Sequence, residues 1–268
     1  LIAFPTCKIN IGLRITEKRP DGYHNLQSCF YPVTWGDILE TIPATDFRFS
    51  SSGLPIPGDG QTNLCVRAYN LLKADFDLPP VSMHLHKIVP IGAGLGGGSA
   101  DAAFTLKLLN DQFALGLGIA QLEDYARTLG SDCAFFVQNR PLYCLEKGDV
   151  FSEISVDLTG YYILLVYPNL AISTAEAYAG VRPHQPELSL FEQLQAPIDN
   201  WRNTIHNDFE DSLFPRYPRL ADIKQQLYEE GAVYASMSGS GSTVYGIFNA
   251  PITTPNQFQA YSVWLGKL

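Results

Sequence analysis

The residues with the plainest chemical potential run from Pro90 to Ala103, Pro-Ile-Gly-Ala-Gly-Leu-Gly-Gly-Gly-Ser-Ala-Asp-Ala-Ala, with five glycines among the first nine. A strand-like segment, Val81 to Val89, precedes them, and a helix-forming run from Ala102 to Leu109 follows. Strand, glycine loop and helix in that order can hold phosphate. Glycine lets the backbone approach an anion, and the helix turns its free N–H groups and positive dipole end toward it. The dipole alone contributes about 0.3–2 kcal/mol, so a local positive charge is needed as well. Gly98 passes directly into Ser99 with no lysine between, which excludes the Gly-Lys-Ser/Thr nucleotide loop. Gly92, Gly94 and Gly97 satisfy G-x-G-x-x-G, which leaves a dinucleotide-dependent dehydrogenase open. Its context speaks against it. Val81, Met83 and Leu85 alternate with Ser82, His84 and His86, the pattern of a strand with one polar face in an antiparallel sheet. A glycine-rich turn with only a packing role is the plainest alternative.

The elements that position these residues can be read from periodicity. From Phe4 to Ile15, Ile9, Ile11, Leu13 and Ile15 share one strand face, while Lys8, Asn10, Gly12 and Arg14 share the other, non-core one. Pro20-Asp21-Gly22 signals a turn, followed by strands at Asn25–Thr34, Asp37–Ile42 and Phe47–Ser51. Gly53 to Gly60 reads as a loop. Thr62 and Asn63 are N-cap candidates for a helix carrying Val66, Tyr69 and Leu72, and Ser99 is poised to begin the helix after the glycines. A further helix spans Ala120–Leu129, with Gly130 in the left-handed position past its end. Asp132 stands before the apolar run Cys133–Val137, where a helix N-cap is its simplest role, and Leu142–Leu145 reads as a strand. In the second half, a strand at Tyr161–Tyr167, helices at Ser173–Gly180 and Leu220–Glu230, and strands at Val233–Met237, Thr243–Phe248 and Tyr261–Leu268 suggest a ferredoxin-like β-α-β-β-α-β unit. The boundary falls near Phe151, giving domains 1–150 and 151–268 of an α+β protein.

With 268 residues, 46% of them hydrophobic and 17% charged, the chain has the composition of a globular protein. A net charge of −9 argues against nucleic acid or an anionic membrane as partner. Cys7, Cys29, Cys65, Cys133 and Cys144 form an odd set without a C-x-x-C pair, which points to a reducing, cytoplasmic location without a disulfide framework or zinc site. Leu1–Phe4 is too short for a signal peptide, and no apolar run reaches membrane-spanning length. His84 and His86 share a strand face, but no third metal ligand accompanies them.

Pro-x-Gly-x-Gly-Leu-Gly-Gly-Gly-Ser resembles the second motif of the GHMP kinases, whose loop wraps the phosphates of ATP. Ala3-Phe4-Pro5-Thr6-Cys7-Lys8-Ile9-Asn10 is similar to the family's first motif, and Ser238-Gly239-Ser240-Gly241-Ser242-Thr243 to its third. Leu129-Gly130-Ser131-Asp132 resembles the segment supplying a catalytic aspartate. The run Arg19-Pro20-Asp21-Gly22-Tyr23-His24-Asn25-Leu26 is similar to one member only, which acts on a cytidine diphosphate sugar alcohol. The resemblance implies a two-domain kinase fold, a mixed or antiparallel N-terminal sheet with helices, and transfer of phosphate from ATP with Mg²⁺ to that small molecule. A kinase acting on a sugar or homoserine, or a catalytically silent nucleotide-binding regulator, are the rival readings.

The resemblance further implies that Lys8 and Asp132 are catalytic. An attacking hydroxyl needs its proton accepted, and a lysine can neutralise charge on the transferring group. Taken singly, Lys8 would read as a solvated strand residue. Lys87, Pro90, Gly92, Gly94, Leu95, Gly96, Gly97, Gly98, Ser99, Gly239 and Gly241 would contact the nucleotide, with Ser99 also a candidate for Mg²⁺. Tyr23, Phe30 and Tyr178 would pack on cytosine and ribose, with His24 at the cytosine edge. Asn10 and Thr174 would address the sugar alcohol or diphosphate. Glu146 stands where the family more often has glycine.

Overall fold

In the computed structural model, residues 1–58, 60 and 62–268 are described. The first part of the chain forms β1 (Ile2–Ala3), β2 (Thr6–Lys18), β3 (His24–Gly36), β4 (Ile38–Pro43), β5 (Arg48–Gly53) and α1 (Leu64–Asp75). Then follow β6 (Val81–Lys87), α2 (Gly97–Gln112), α3 (Ile119–Leu129), α4 (Phe135–Gln138), β7 (Leu142–Leu145) and β8 (Val150–Glu153). Of the loop expected over Gly53–Gly60, Asp59 lies outside the described residues. The rest of the chain forms β9 (Tyr162–Tyr167), α5 (Thr174–Gly180), α6 (Leu190–Gln193), α7 (Trp201–Thr204), α8 (Phe209–Arg216), α9 (Pro218–Glu229), β10 (Tyr234–Met237), β11 (Val244–Phe248) and β12 (Ser262–Lys267).

The fold is α+β, but its two compact units do not divide at the expected boundary near Phe151. One comprises residues 1–7, 35–91 and 96–140, the other 8–34, 92–95 and 141–268. The reason is visible in β2. Leu13 N donates to His206 O at 3.0 Å, Asp208 N donates to Leu13 O at 2.8 Å, and Ile15 N donates to Asp208 Oδ2 at 2.7 Å. Those bonds fasten the N-terminal hairpin to the C-terminal part of the chain.

In the first unit, a four-stranded sheet has the order β1-β4-β6-β5, with β4 antiparallel and β5 parallel to β6. Val81, Met83 and Leu85 are buried while Ser82, His84 and His86 are half-buried, as alternation dictates. The helices α1, α2 and α3 pack on one another, with Leu72, Leu106 and Leu109 fully buried. Asn63 caps α1 by accepting from Cys65 N at 2.8 Å. Gly130 follows α3 with an extended backbone, φ 176°, not the expected left-handed one.

In the second unit, β2-β3-β7-β8 form one sheet and β10-β11-β9-β12 another. The latter order, antiparallel throughout, is the ferredoxin-like arrangement, with the second helix reduced to a 3₁₀ turn at Asn256–Phe258. Leu220, Ile223 and Leu227 of α9 are buried in one core with Leu164, Val166, Met237 and Val244, and Leu13 and Ile15 of β2 join it. At about 25 cal/mol per Å² of apolar surface, each such side chain stabilises the fold by roughly 1.5–3 kcal/mol.

Candidate active site

Lys8 and Asn10 do share a face of β2, but that face is buried: they are 3% and 1% exposed. Lys8 Nζ donates to Asn10 Oδ1 and lies 4.5 Å from the centroid of the Phe30 ring. Asn10 Nδ2 donates to Ser28 Oγ at 2.9 Å, which in turn donates to Gly12 O at 2.7 Å. Burial of so polar a strand face is tolerated because its groups are bonded.

The same strand organises the middle of the glycine run. Lys8 N donates to Leu95 O at 2.9 Å, Ser238 Oγ donates to Gly94 O at 2.8 Å, and Thr243 N donates to Ala93 O at 3.1 Å. Asn10 N donates to Ser238 Oγ at 3.3 Å. Residues 92–95 are therefore held by the first and third motif segments together. The contact is so close that a Cβ on Gly94, whose φ is +77°, would lie 2.1 Å from Ser238 O. Gly239 packs on Gly94, and Asn207 Nδ2 fixes the third segment by donating to Met237 O and Gly239 O at 2.7 and 2.9 Å. Gly239 and Gly241 are thus buried supports as well as backbone.

Gly92, Gly94 and Gly96 all have positive φ, while Ala93 and Leu95 between them are buried anchors. Alternation of left-handed and ordinary residues turns successive N–H groups to one side, an anion-binding concavity. The helix α2 begins at Gly97, two residues before the expected Ser99, with Gly96 at its N-cap and no side-chain cap bond. The N–H groups of Gly97, Gly98 and Ser99 have no acceptor within the helix. Gly98 is exposed, Pro90 is buried, and around Gly92 nothing comes within 4 Å of where a Cβ would be.

Lys87 departs from its expected place at the nucleotide. It is 3% exposed, its Nζ donating to Asp37 Oδ2 at 2.5 Å and Asp101 Oδ2 at 2.7 Å. Asp37 Oδ1 also accepts from Ile88 N at 2.6 Å and Val89 N at 2.8 Å. A Cβ on Gly97 would come 3.1 Å from Lys87 Nζ, so the ammonium braces the first turn of α2 from inside. Burial opposes the charge on Lys87, but the two carboxylates outweigh it and raise its pKa. Burial, countered by Lys87, pushes the Asp101 carboxyl up to about 7. One lysine faces two carboxylates, so one of them holds a proton easily.

Asp132 is half-buried in the turn before α4. It is not a cap: the N-cap of α4 is Ala134. Its neighbour Cys133 is buried, and burial pushes the thiol up to about 12. The Ser99 hydroxyl hydrogen-bonds that thiol, and the charges of Asp132 and Arg67 both act on it. Ser99, Asp132 and Arg67 thus all act on the Cys133 thiol near the start of α2. Nothing in the sequence marks Arg67, nor a cleft of about 250 Å³ lined by Phe49, Ser50, Ser51, Ile56 and Asn63. Phe49 lies in a recognisable strand, but nothing local shows that it borders a cavity. Among the described residues, no group of three or more His, Cys, Asp or Glu side chains could hold a metal ion. His84 and His86 are hydrogen-bonded to Ser50 and Ser52.

Of the remaining site residues, His24 and Tyr178 meet. Their rings stack with centroids 4.8 Å apart, and Phe209 meets Tyr178 edge-on at 4.9 Å. Burial, then the charge of Lys18, lowers the His24 pKa, so its ring is neutral at pH 7. Thr174 is exposed at the first position of α5, one turn before Tyr178. Phe30 is buried beside Lys8, whereas the Tyr23 ring is 59% exposed, with Lys147 Nζ 5.3 Å from its centroid. The turn carrying Tyr23 is fastened by Arg19, which bonds Asp21, Asn25 and Glu146. Glu146 has φ +54°, the left-handed conformation that favours glycine.

A profile of the GHMP kinases N terminal domain matches residues 63–140, and one of GHMP kinases C terminal matches residues 188–261. The chain is 52% identical over 259 residues to a 4-diphosphocytidyl-2-C-methyl-D-erythritol kinase of Cytophaga hutchinsonii, covering 96% of this chain and 95% of that one. Its identity to the Bacteroides thetaiotaomicron protein of the same name is 53%, over 95% and 94% of the two chains. A crystal structure of 4-(cytidine 5'-diphospho)-2C-methyl-D-erythritol kinase is similar with a TM-score of 0.83 and 28% identity, covering 99% of this chain and 98% of that one. Mevalonate kinase of Methanococcus jannaschii is similar in fold alone, with a TM-score of 0.71 and 12% identity over 100% and 98% of the chains.

Proposed function

We propose, since this chain belongs to the GHMP kinase family, that it transfers the γ-phosphate of ATP to the 2-hydroxyl of 4-(cytidine 5'-diphospho)-2-C-methyl-D-erythritol. The observation that carries the chemistry is the glycine run. Left-handed glycines and an uncapped helix start offer backbone N–H groups to phosphate, and the Cβ-free space at Gly92 leaves room for it. The cleft beside Asn63 and Phe49 suits the base of the nucleotide.

In the reaction, Asp132 accepts the proton of the attacking hydroxyl, and Lys8 neutralises charge on the transferring group. Mg²⁺, held by the Ser99 hydroxyl and the phosphate oxygens of ATP, would supply charge neutralisation there. The Ser99 hydroxyl is an oxygen donor suited to that cation, while the uncapped N–H groups beside it face the phosphates. The cytosine ring stacks at the His24–Tyr178 pair, whose neutral imidazole both donates and accepts along the base edge. Asn10 and Thr174 address the sugar alcohol or its diphosphate. Five buried free thiols support a reducing, cytoplasmic setting, and among the described residues no helix is long and apolar enough to cross a membrane.

The test is a coupled assay of ADP release with the cytidine substrate, its uridine analogue and homoserine as acceptors. Turnover with the cytidine substrate alone supports the reading; turnover with homoserine but not with it would overturn it. Asp132→Asn keeps the shape but not the proton acceptance, and is expected to lower kcat about 10²–10⁴-fold with substrate affinity kept. Near-normal turnover in that variant would remove Asp132 from the chemistry.

A further inference from the structure

The positive charge an anion site requires is not supplied at α2 by the lysine nearest to it. Lys87 is committed to Asp37 and Asp101. Arg67 stands differently. It is exposed on α1, and among the described residues its guanidinium has no ion pair and no hydrogen bond, in a chain with 27 acidic side chains.

Two features of α1 and one electrostatic effect set its position. Arg67 follows Asn63 by four residues, so it lies on the same side of α1 as the residue that lines the cleft. The first residue of α1, Leu64, approaches the first turn of α2: a Cβ on Gly98 would be 3.9 Å from Leu64 Cδ1. The charge of Arg67 also acts on Cys133, whose thiol is bonded to Ser99 in that same turn. Arg67 follows Leu64 by three residues, so it stands on the side of α1 that meets the first turn of α2, where free N–H groups are presented.

We propose that Arg67 is a phosphate-binding residue of the nucleotide site, its guanidinium engaging the β- or γ-phosphate of ATP beside the N-terminus of α2. The proposal deepens the kinase reading and rests on it. A guanidinium suits the task because its planar donors pair with two phosphate oxygens at once and its charge is permanent. Helix dipole and backbone N–H groups alone serve any anion. An added arginine favours the nucleotide that carries the outer phosphates.

The test is calorimetric titration of the full chain with ATP, ADP and AMP, each with Mg²⁺, in the wild type, Arg67→Met and Arg67→Lys. Methionine keeps much of the side chain's length and removes its charge. Arg67→Met is expected to weaken ATP about tenfold to a hundredfold while AMP changes less than twofold, with Arg67→Lys recovering part of the loss. In kinetics, KM for ATP rises and KM for the cytidine substrate does not. Equal weakening of ATP and AMP, or unchanged ATP affinity in Arg67→Met, would overturn the proposal and return Arg67 to the solvated surface. A wild-type chain that binds no ATP would overturn the kinase reading first, before any variant is compared.

Discussion

Between Gly92 and Leu95 the glycine run is fastened by neutral hydrogen bonds, whereas its flanks, Lys87–Val89 and Gly97–Asp101, are fastened by buried charge. The two devices differ in what they tolerate. A neutral hydrogen bond contributes about 0.5–1.5 kcal/mol and is insensitive to pH, so losing one of three weakens the segment without releasing it. The charged group is all or nothing. Its members were desolvated together, and removing one leaves the others buried without compensation.

Lys87→Met should therefore produce the largest loss of stability, about 3–5 kcal/mol in chemical denaturation, because Asp37 and Asp101 then face each other without a counter-charge. A loss below about 1 kcal/mol would mean that the three groups are less tightly interdependent than their burial indicates. Gly94→Ala comes next, at about 2–4 kcal/mol, since it adds left-handed strain to a collision with the Ser238 carbonyl. Gly92→Ala, with the same sign of φ but open space, should cost only about 1–2 kcal/mol. Equal costs would show that backbone strain alone matters there. Ser238→Ala removes the donor to Gly94 O and the acceptor for Asn10 N, for an expected loss of about 1–2 kcal/mol by denaturation.

The two devices also separate by pH. Burial holds the Asp101 carboxyl up at about 7, above its ordinary value of 3.8, so between those values the folded chain binds a proton that the unfolded chain has released. Stability from this site accordingly falls as pH rises from about 4 to 7 and levels off above. Asp101→Asn should flatten that part of the stability profile, while Ser238→Ala shifts the profile without changing its slope. An unchanged slope in Asp101→Asn would place the titration elsewhere.

What the sequence disclosed was local. The glycine run and the Asn63 cap follow from turn chemistry and periodicity within a few residues, and the C-terminal sheet was legible only through the β-α-β-β-α-β succession of such local segments. The shared face of Lys8 and Asn10 was legible for the same reason. Its burial was not, because Ser238, one of its partners, lies 228 positions from Asn10. Lys87 looked like a free cation before a phosphate loop, since Asp37 is 50 positions away and Asp101 on α2 carried no sign of facing inward. Short α6 and α7, and α8 with Pro215 inside it, gave too little periodicity to be seen. Glu146 is the instructive intermediate case. Glycine is more common at that place in the family, and Glu146 adopts the left-handed backbone that glycine favours while its side chain reaches Arg19.

The bonds from Ser238 and Thr243 to the glycine run also bear on when the protein becomes competent during synthesis. The ribosome delivers Gly92–Leu95 well before the residues that set their shape, so a nascent chain lacking its last strands carries the loop's composition without its full set of restraints. Nucleotide affinity would then mature late, and a truncated product would be told from a finished one by function as well as by length.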